Sequence, residues 1–361
     1  MRRKELRLII LPLILIVIGL FSIYSATISR LVANNLSPYL FVERQFVAFI
    51  IGVILSLIIM SFPYRVWERL YIFIYVINIF LLIAVLLFGN ERLGAQRWFS
   101  IFGFSFQPSE LSKFFNILFF SGFFSKLKRE KDELGLKEFI ISGILLFITF
   151  MTVFLQPDLG TSIIIALEGV FLFLIGGIPR RYIIKFGLVI ILLLPFFWFF
   201  LKPYQQQRII TFLNPEKDPL GSGYQILQGL IAVGSGGLFG KGWLSGPQTH
   251  LNLIPEQHTD FIFTVIAEEF GFFGSLILLM IYLLFFYYCW QLYVSVNDIY
   301  PKLIVGGILF SWVIQVFINI GMVLGVLPIV GVPLPFVSFA RTSLITNILM
   351  VAFLVNISMR S

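Results

Sequence analysis

Residues 255–289 read PEQHTDFIFTVIAEEFGFFGSLILLMIYLLFFYYC, a polar cluster that runs straight into an apolar tract. Glu256, His258, Thr259 and Asp260 thus stand at the lip of a segment long enough, as a helix, to cross a bilayer core, for which about 20 apolar residues suffice. Working outward from it, comparable runs recur at about 8–28, 46–62, 70–88, 108–124, 138–156, 160–176, 181–201, 260–289, 302–327 and 336–357. The spacing predicts ten membrane-spanning helices with one long outer connection, about 202–259, after the seventh. The composition agrees. With mean hydropathy +0.98, 59% hydrophobic residues, 43 phenylalanines and only 12% charged residues, the chain has more apolar surface than a water-soluble core can hide. An all-α integral membrane protein is expected, a single domain over residues 1–361.

The charges assign sidedness. Sixteen of the 26 lysines and arginines fall in short loops on the side of the N-terminus, from Arg2, Arg3, Lys4 and Arg7 through Lys126–Lys131 to Arg360. By the positive-inside rule both termini are cytoplasmic and the 202–259 connection is outside. The same bias accounts for the net charge of +8, so no nucleic-acid partner is expected. The N-terminal apolar stretch is longer than a signal-peptide core and lacks a clear small-residue cleavage site, which reads as a retained first helix. One cysteine, Cys289, excludes an internal disulfide, and two histidines are too few for a histidine-built metal centre.

In this topology spans two, four, six, eight and ten start at the outer face, each introduced by a proline: Pro38, Pro108, Pro157, Pro255 and Pro335. Proline suits a first turn because no intrahelical bond is lost there. After the last four come Ser109 and Glu110, Asp158 and Thr161, Thr259 and Asp260, and Ser338. Helix N-termini carry unpaired N–H groups and partial positive charge, so several aimed at one place would hold an anion such as a phosphate.

Individual residues carry competing readings. Glu110 and Lys113 are three apart on one helix face, either a buried ion pair that fixes packing or part of a site. Asp158 reads as a cap of the sixth span or as a site residue. Glu168, Glu268 and Glu269 lie deeper and read as packing or lining groups. Asp260, in the first turn of the eighth span where water meets the headgroup layer, reads as a plain N-cap or as a general base. Arg97 and Trp98, in the outer loop before the fourth span, read as a phosphate- and sugar-binding pair or as a headgroup-level anchor. The glycine-rich, still apolar 221–243 suits a re-entrant or membrane-surface segment, with a flexible outer loop as the alternative. Its GLFGKGW has the outline of a phosphate-cradling loop, yet no Ser or Thr follows Lys241 and no strand precedes it.

The motifs GAQRW (94–98), FQPSELSK (106–113), QPDLGTS (156–162), FLNPEKDPLGSGYQ (212–225), GSGGLFGKGW (234–243) and THLNLIPEQHTDFIFTVIAEEFG (249–271) resemble the SEDS family (shape, elongation, division and sporulation), of the RodA type, over essentially the whole chain. The resemblance implies a peptidoglycan glycosyltransferase that polymerises lipid II at the outer leaflet of a bacterial cytoplasmic membrane. Undecaprenyl pyrophosphate would leave, and a class B penicillin-binding protein would be the transpeptidase partner. The family's essential aspartate corresponds to Asp260. Its outer-loop arginine corresponds to Arg97, its acidic and basic pair to Glu110 and Lys113, and its QPD aspartate to Asp158. Lys241, Glu256, His258, Thr259, Ser338 and Arg341 complete the candidate substrate-binding set. A divalent cation, Mg2+ or Mn2+, bridging Asp260 and the pyrophosphate fits the chemistry, and the pattern leaves its requirement open. One departure stands out: the family shows paired glycines after the aromatic in VSYGG or VSFGG, whereas this chain has Ala340 and Arg341 in VSFARTS. Two further function classes stay open at this stage. A flippase or transporter of lipid-linked precursors would keep its polar site near the midplane, and a non-catalytic scaffold would tolerate loss of Asp260.

Overall fold

In the computed structural model the described residues are 3–92, 95–101, 104–131, 133–197, 199, 203–215, 221–251 and 253–360. Arg2, Gly94 of GAQRW, 216–220 of the 212–225 motif, Asn252 and the 198 and 200–201 end of the expected seventh span lie outside them. Helices stand at all ten expected places: α1 (Arg3–Ala33), α2 (Leu40–Ser61), α4 (Tyr71–Phe88), α5 (Pro108–Glu130), α6 (Leu136–Phe154), α7 (Leu159–Gly176), α8 (Arg180–Phe197), α12 (Ile262–Ser295), α13 (Ile299–Val323) and α14 (Arg341–Arg360). Eight of them are long and apolar enough to cross a membrane by their own composition. The other two are α5, which contains Glu110, Lys113 and Asn116, and α8, which begins Arg180-Arg181 and carries Lys185. Shorter helices are α3 (Tyr64–Arg69), α9 (Pro203–Leu213), α10 (Ser222–Ser235) and α11 (Pro247–His250).

The expectation of an all-α chain needs one correction. Residues before α5 form a three-stranded antiparallel sheet, β1 (Asn90–Arg92), β2 (Ala95–Ile101) and β3 (Phe104–Phe106), in the order β1-β2-β3. Cross-strand pairing, as of Glu91 with Gln96 and of Ser100 with Ser105, satisfies backbone groups of these strands.

Almost every residue of α14 is buried, and it packs against α1, α2 and α5, so it forms the axis of the bundle. Around it lie buried aromatic rings such as Phe114, Phe120, Phe285 and Trp312. Large apolar side chains of α2, α4 and α8, among them Leu57, Phe73, Phe80, Phe88 and Leu192, point outward. That inversion is what lipid in place of water permits, since hydrocarbon tails are as apolar as leucine.

The proline expectation holds only in part. Pro108 is the first residue of α5 and Pro157 directly precedes the Asp158 cap of α7. Pro255 and Pro335 instead lie in turns, because α12 starts at Ile262 and α14 at Arg341. Consequently Thr259 and Asp260 are not in a first helical turn but in the turn 255–261 ahead of it. Within α12, Gly271 breaks the helix with φ 66° and ψ −160°. A Cβ there would stand 2.3 Å from the amide nitrogen of Gly240, so the glycine is required by the close approach of the 236–242 loop. That loop donates from Lys241 and Gly242 to the carbonyls of Glu268 and Glu269 and accepts from Phe272 and Phe273. The segment read from sequence as re-entrant or surface-lying is therefore helix α10 plus a tight loop plugged into the break.

Candidate active site

Four chain segments meet at one end of the bundle: the start of α5, the start of α7, the 255–261 turn and the 329–343 stretch that ends in the first residues of α14. They enclose a cavity of about 560 Å3, within the range of small-molecule sites. Its lining includes Arg97, Trp98, Glu110, Asp158, Glu256, Thr259, Asp260, Ala340 and Arg341. The convergence of helix N-termini expected from sequence is present for α5, α7 and α14, and Gln107 N–H donates to Thr342 Oγ1 at 3.0 Å to tie two of them together.

Asp260 is held through its backbone. The buried Asn319 amide donates to Asp260 O at 2.8 Å and to Val332 O at 2.7 Å. Ser338 Oγ donates to Thr259 O at 2.6 Å and accepts from Leu334 N, while Phe339 N–H donates to His258 O at 2.9 Å. Gly331 lies so close that a Cβ on it would be 3.2 Å from Asp260 Oδ2. Ser338, a predicted binder, is thus behind the wall and acts on Asp260 by fixing the turn.

Asp158 caps α7 by accepting from Thr161 N–H, and its other oxygen accepts from Gln107 Nε2 and Ser109 Oγ, both at 2.9 Å. The cap reading from sequence holds, and the same residue lines the cavity. Arg97 stands 3.9 Å from it, donates to the carbonyls of Gln156 and Pro157, and lies beside the Trp98 ring. Glu110 borders the cavity floor. Lys113 pairs with it at 2.9 Å and donates to Gln315 Oε1 at 2.7 Å, and the buried Glu168 and Ser311 complete this polar layer.

Two predicted binders are elsewhere. Lys241 pairs with Glu268 at 3.1 Å and with Ser235 Oγ at 2.7 Å, so it belongs to the loop plugged into the α12 break and not to the cavity. Glu268, read as packing, is the hub there: its carboxylate also accepts from Gln248 N, Thr249 N and Thr249 Oγ1. His258 faces a neighbouring pocket, between the rings of Phe41 and Phe339 at 4.7 and 5.6 Å. Burial, and secondarily the charge of Arg30, push its pKa down to about 4, so it is a neutral imidazole at neutral pH. Sequence reading missed Asn319 and Gln315. Their signal was available, since each is a polar amide inside an apolar span.

Fold and cavity define a polytopic membrane protein with a polar cavity at one end of its bundle. The FtsW/RodA/SpoVE family model, described as a cell cycle protein, matches residues 6–361, and the chain belongs to that family. It is 42% identical over 312 residues to the peptidoglycan glycosyltransferase MrdB of Escherichia coli K12, covering 86% of this chain and 83% of that protein. It is 35% identical to the stage V sporulation protein E of Bacillus subtilis strain 168, covering 98% and 96%. Among solved structures, a chain from work on the structural coordination of polymerization and crosslinking by a peptidoglycan synthase complex superposes with TM-score 0.80 at 30% identity, covering 96% of this chain and 95% of that one. The rod shape determining protein RodA of Thermus thermophilus does so with TM-score 0.71 at 25% identity, covering 97% and 94%.

Proposed function

We propose that this chain is a peptidoglycan glycosyltransferase of the elongation type that polymerises lipid II, with Asp260 as its general base. The enzyme class rests on relatives such as MrdB that carry this activity in their names. The observation that carries the assignment of the base is the position of Asp260: its carboxylate borders a cavity that also holds Arg97, Arg341 and three helix N-termini. In the reaction, Asp260 takes the proton of an acceptor sugar hydroxyl as that oxygen bonds to the donor's anomeric carbon. The bond from that carbon to the diphosphate breaks, and its electron pair leaves with undecaprenyl pyrophosphate. One displacement inverts the anomeric centre and needs one base and no covalent intermediate. Arg97, Arg341 and the helix ends stabilise the growing negative charge of the leaving diphosphate, an arrangement that acts best in a site shielded from bulk water. Where the family has glycine, Ala340 and Arg341 exchange close backbone approach for a guanidinium.

Among the described residues no group of three or more metal-ligating side chains occurs. A Mg2+ or Mn2+ ion, commonly bound through one or two carboxylates plus substrate phosphates, would therefore be held by Asp260 and the diphosphate, where it would offset leaving-group charge.

In the proposed orientation all ten helices cross the bacterial cytoplasmic membrane as one domain, with the site end outside and both termini inside. The opposite end supports this, since Arg65, Arg69, Lys126 and Arg129 gather there. The connection between α8 and α12 is then extracytoplasmic. The 0.80 superposition on one chain from work on a peptidoglycan synthase complex that couples polymerization to crosslinking supports a class B penicillin-binding protein as partner. A carrier of lipid-linked precursors fits less well, because the cavity lies at one end of the bundle and not at its midplane. The test is a gel-resolved assay of purified lipid II with and without the class B partner. A ladder of glycan strands is expected; movement of lipid II across vesicles with no ladder would favour the carrier.

A further inference from the structure

A second pocket, about 440 Å3, adjoins the first. It lies between the end of α1, the start of α2 and the segment Ile254–His258, and it shares Pro255 and Glu256 with the Asp260 cavity. The shared wall is rigid and strained. Glu256 is held at φ 52°, a left-handed conformation that side chains other than glycine rarely adopt, and its carbonyl accepts from both Thr259 N–H and Thr259 Oγ1. Gln257 Nε2 pins the same segment to α1 by donating to Ala26 O at 2.7 Å and to Thr249 O at 2.9 Å. Such strain persists only where the surroundings over-determine it, and it recurs at ligand sites.

The pocket presents Arg30, Asn34 and Thr27 from α1 and its end, the Phe41 ring from α2, and Glu256 and the neutral His258 from the wall. Among the described residues Arg30 has no ion-pair partner, and the Glu256 side chain is 53% exposed. An aromatic face, an amide, a carboxylate and an unpaired guanidinium together suit a sugar that carries an oxyanion. A polymerase must hold two lipid-linked saccharides at once, and the Asp260 cavity, with its cations and helix ends, is built for the departing diphosphate of the donor. We propose that the neighbouring pocket is the acceptor subsite, with Arg30 on an oxyanion of the acceptor head group and the accepting hydroxyl reaching over the Glu256 ridge to Asp260. The oxyanion is either the acceptor's own diphosphate or a carboxylate of its stem peptide, and Arg30 reads the charge common to both. This inference rests on the glycosyltransferase reading above and adds the acceptor's location to it.

The two substrates can be separated kinetically. A lipid-linked donor whose accepting hydroxyl is replaced by hydrogen can donate but not accept, and an acceptor whose anomeric oxygen is replaced by a methylene, so that its diphosphate cannot leave, can accept but not donate; the two couple to a single product. With the full-length protein and its partner, Arg30→Ala is expected to raise the acceptor KM tenfold or more while the donor KM stays within twofold. Arg30→Lys, which keeps charge without the planar fork, is expected to recover part of the loss. Repeating the series with a peptide-free acceptor assigns the oxyanion: a persistent penalty names the diphosphate, a vanished one the peptide carboxylate. Should Arg30→Ala not fold, Asn34→Ala must show the same asymmetry between the two KM values. An unchanged acceptor KM, or equal rises in both, overturns the subsite, whereas failure of the wild type to couple at all overturns the glycosyltransferase reading instead.

Discussion

The polar layer beneath the cavity makes a quantitative prediction. Lys113 and Glu110 have side chains only 2% and 6% exposed and stand 2.9 Å apart. At an effective dielectric of about 20, unit charges at this distance attract by about 6 kcal/mol, most of which offsets the desolvation of both ions. The net value of the pair is therefore small. Removing one partner is different, because it strands a buried charge at about 3–5 kcal/mol. The structure adds an asymmetry, since Lys113 also donates to Gln315 Oε1 at 2.7 Å and keeps that polar partner when Glu110 is removed. Lys113→Met strands the Glu110 carboxylate and is expected at the upper end of that range. Glu110→Gln leaves the ammonium on Gln315 and is expected at the lower end. The double variant Glu110→Gln/Lys113→Met is expected to recover about 2 kcal/mol relative to Lys113→Met and so to fall well short of the sum of the two single losses. The assay is unfolding of the four proteins in one detergent, with lipid II polymerisation measured in parallel. Stability should recover in the double variant while activity does not, because Glu110 also borders the cavity. A double variant as unstable as the sum of the singles would refute the mutual neutralisation.

Two further outcomes follow from the loops around the site. Glu268→Gln keeps the shape of the hub but removes the charge that pairs with Lys241 and receives Gln248 and Thr249; a loss of about 2–3 kcal/mol is expected in unfolding experiments, and a stability equal to wild type would contradict the role. His258 is neutral when folded, with its pKa pushed down to about 4 from 6.5, so the unfolded chain binds the extra proton first as pH falls. Folding stability should be unaffected by this group above about pH 6.5 and should decline by about 1.4 kcal/mol per pH unit from there to about pH 4. His258→Gln should flatten that decline, and an unchanged slope in the variant would assign the effect elsewhere.

The membrane class, a helix at each long apolar run, and Arg97, Glu110, Asp158, Thr259 and Asp260 among the residues that line the cavity were legible because their signals are local. Apolar run length marks a helix in lipid, and a proline followed by polar residues marks α5 and α7 well. The signal failed at Pro255 and Pro335, where the chain does not enter a helix at once. There the 255–261 turn is shaped by partners far away in sequence, Asn319 on α13 and Ser338 and Phe339 before α14. No local pattern encodes such stitches. Lys241 misled for a similar reason, since a lysine in a glycine-rich loop suggests an anion, whereas its partner is Glu268, brought near by the break at Gly271. The hairpin before α5 was hidden by the shortness of its strands, which run three, seven and three residues.

The central claim, that Asp260 removes the acceptor's proton, is tested most directly by the initial rate of lipid II polymerisation for wild type and Asp260→Asn at equal expression and equal binding of the class B partner. A positioned general base contributes about 10²–10⁴-fold, so the variant is expected to lose at least two orders of magnitude of rate. Glycan synthesis at the wild-type rate by Asp260→Asn would contradict the account.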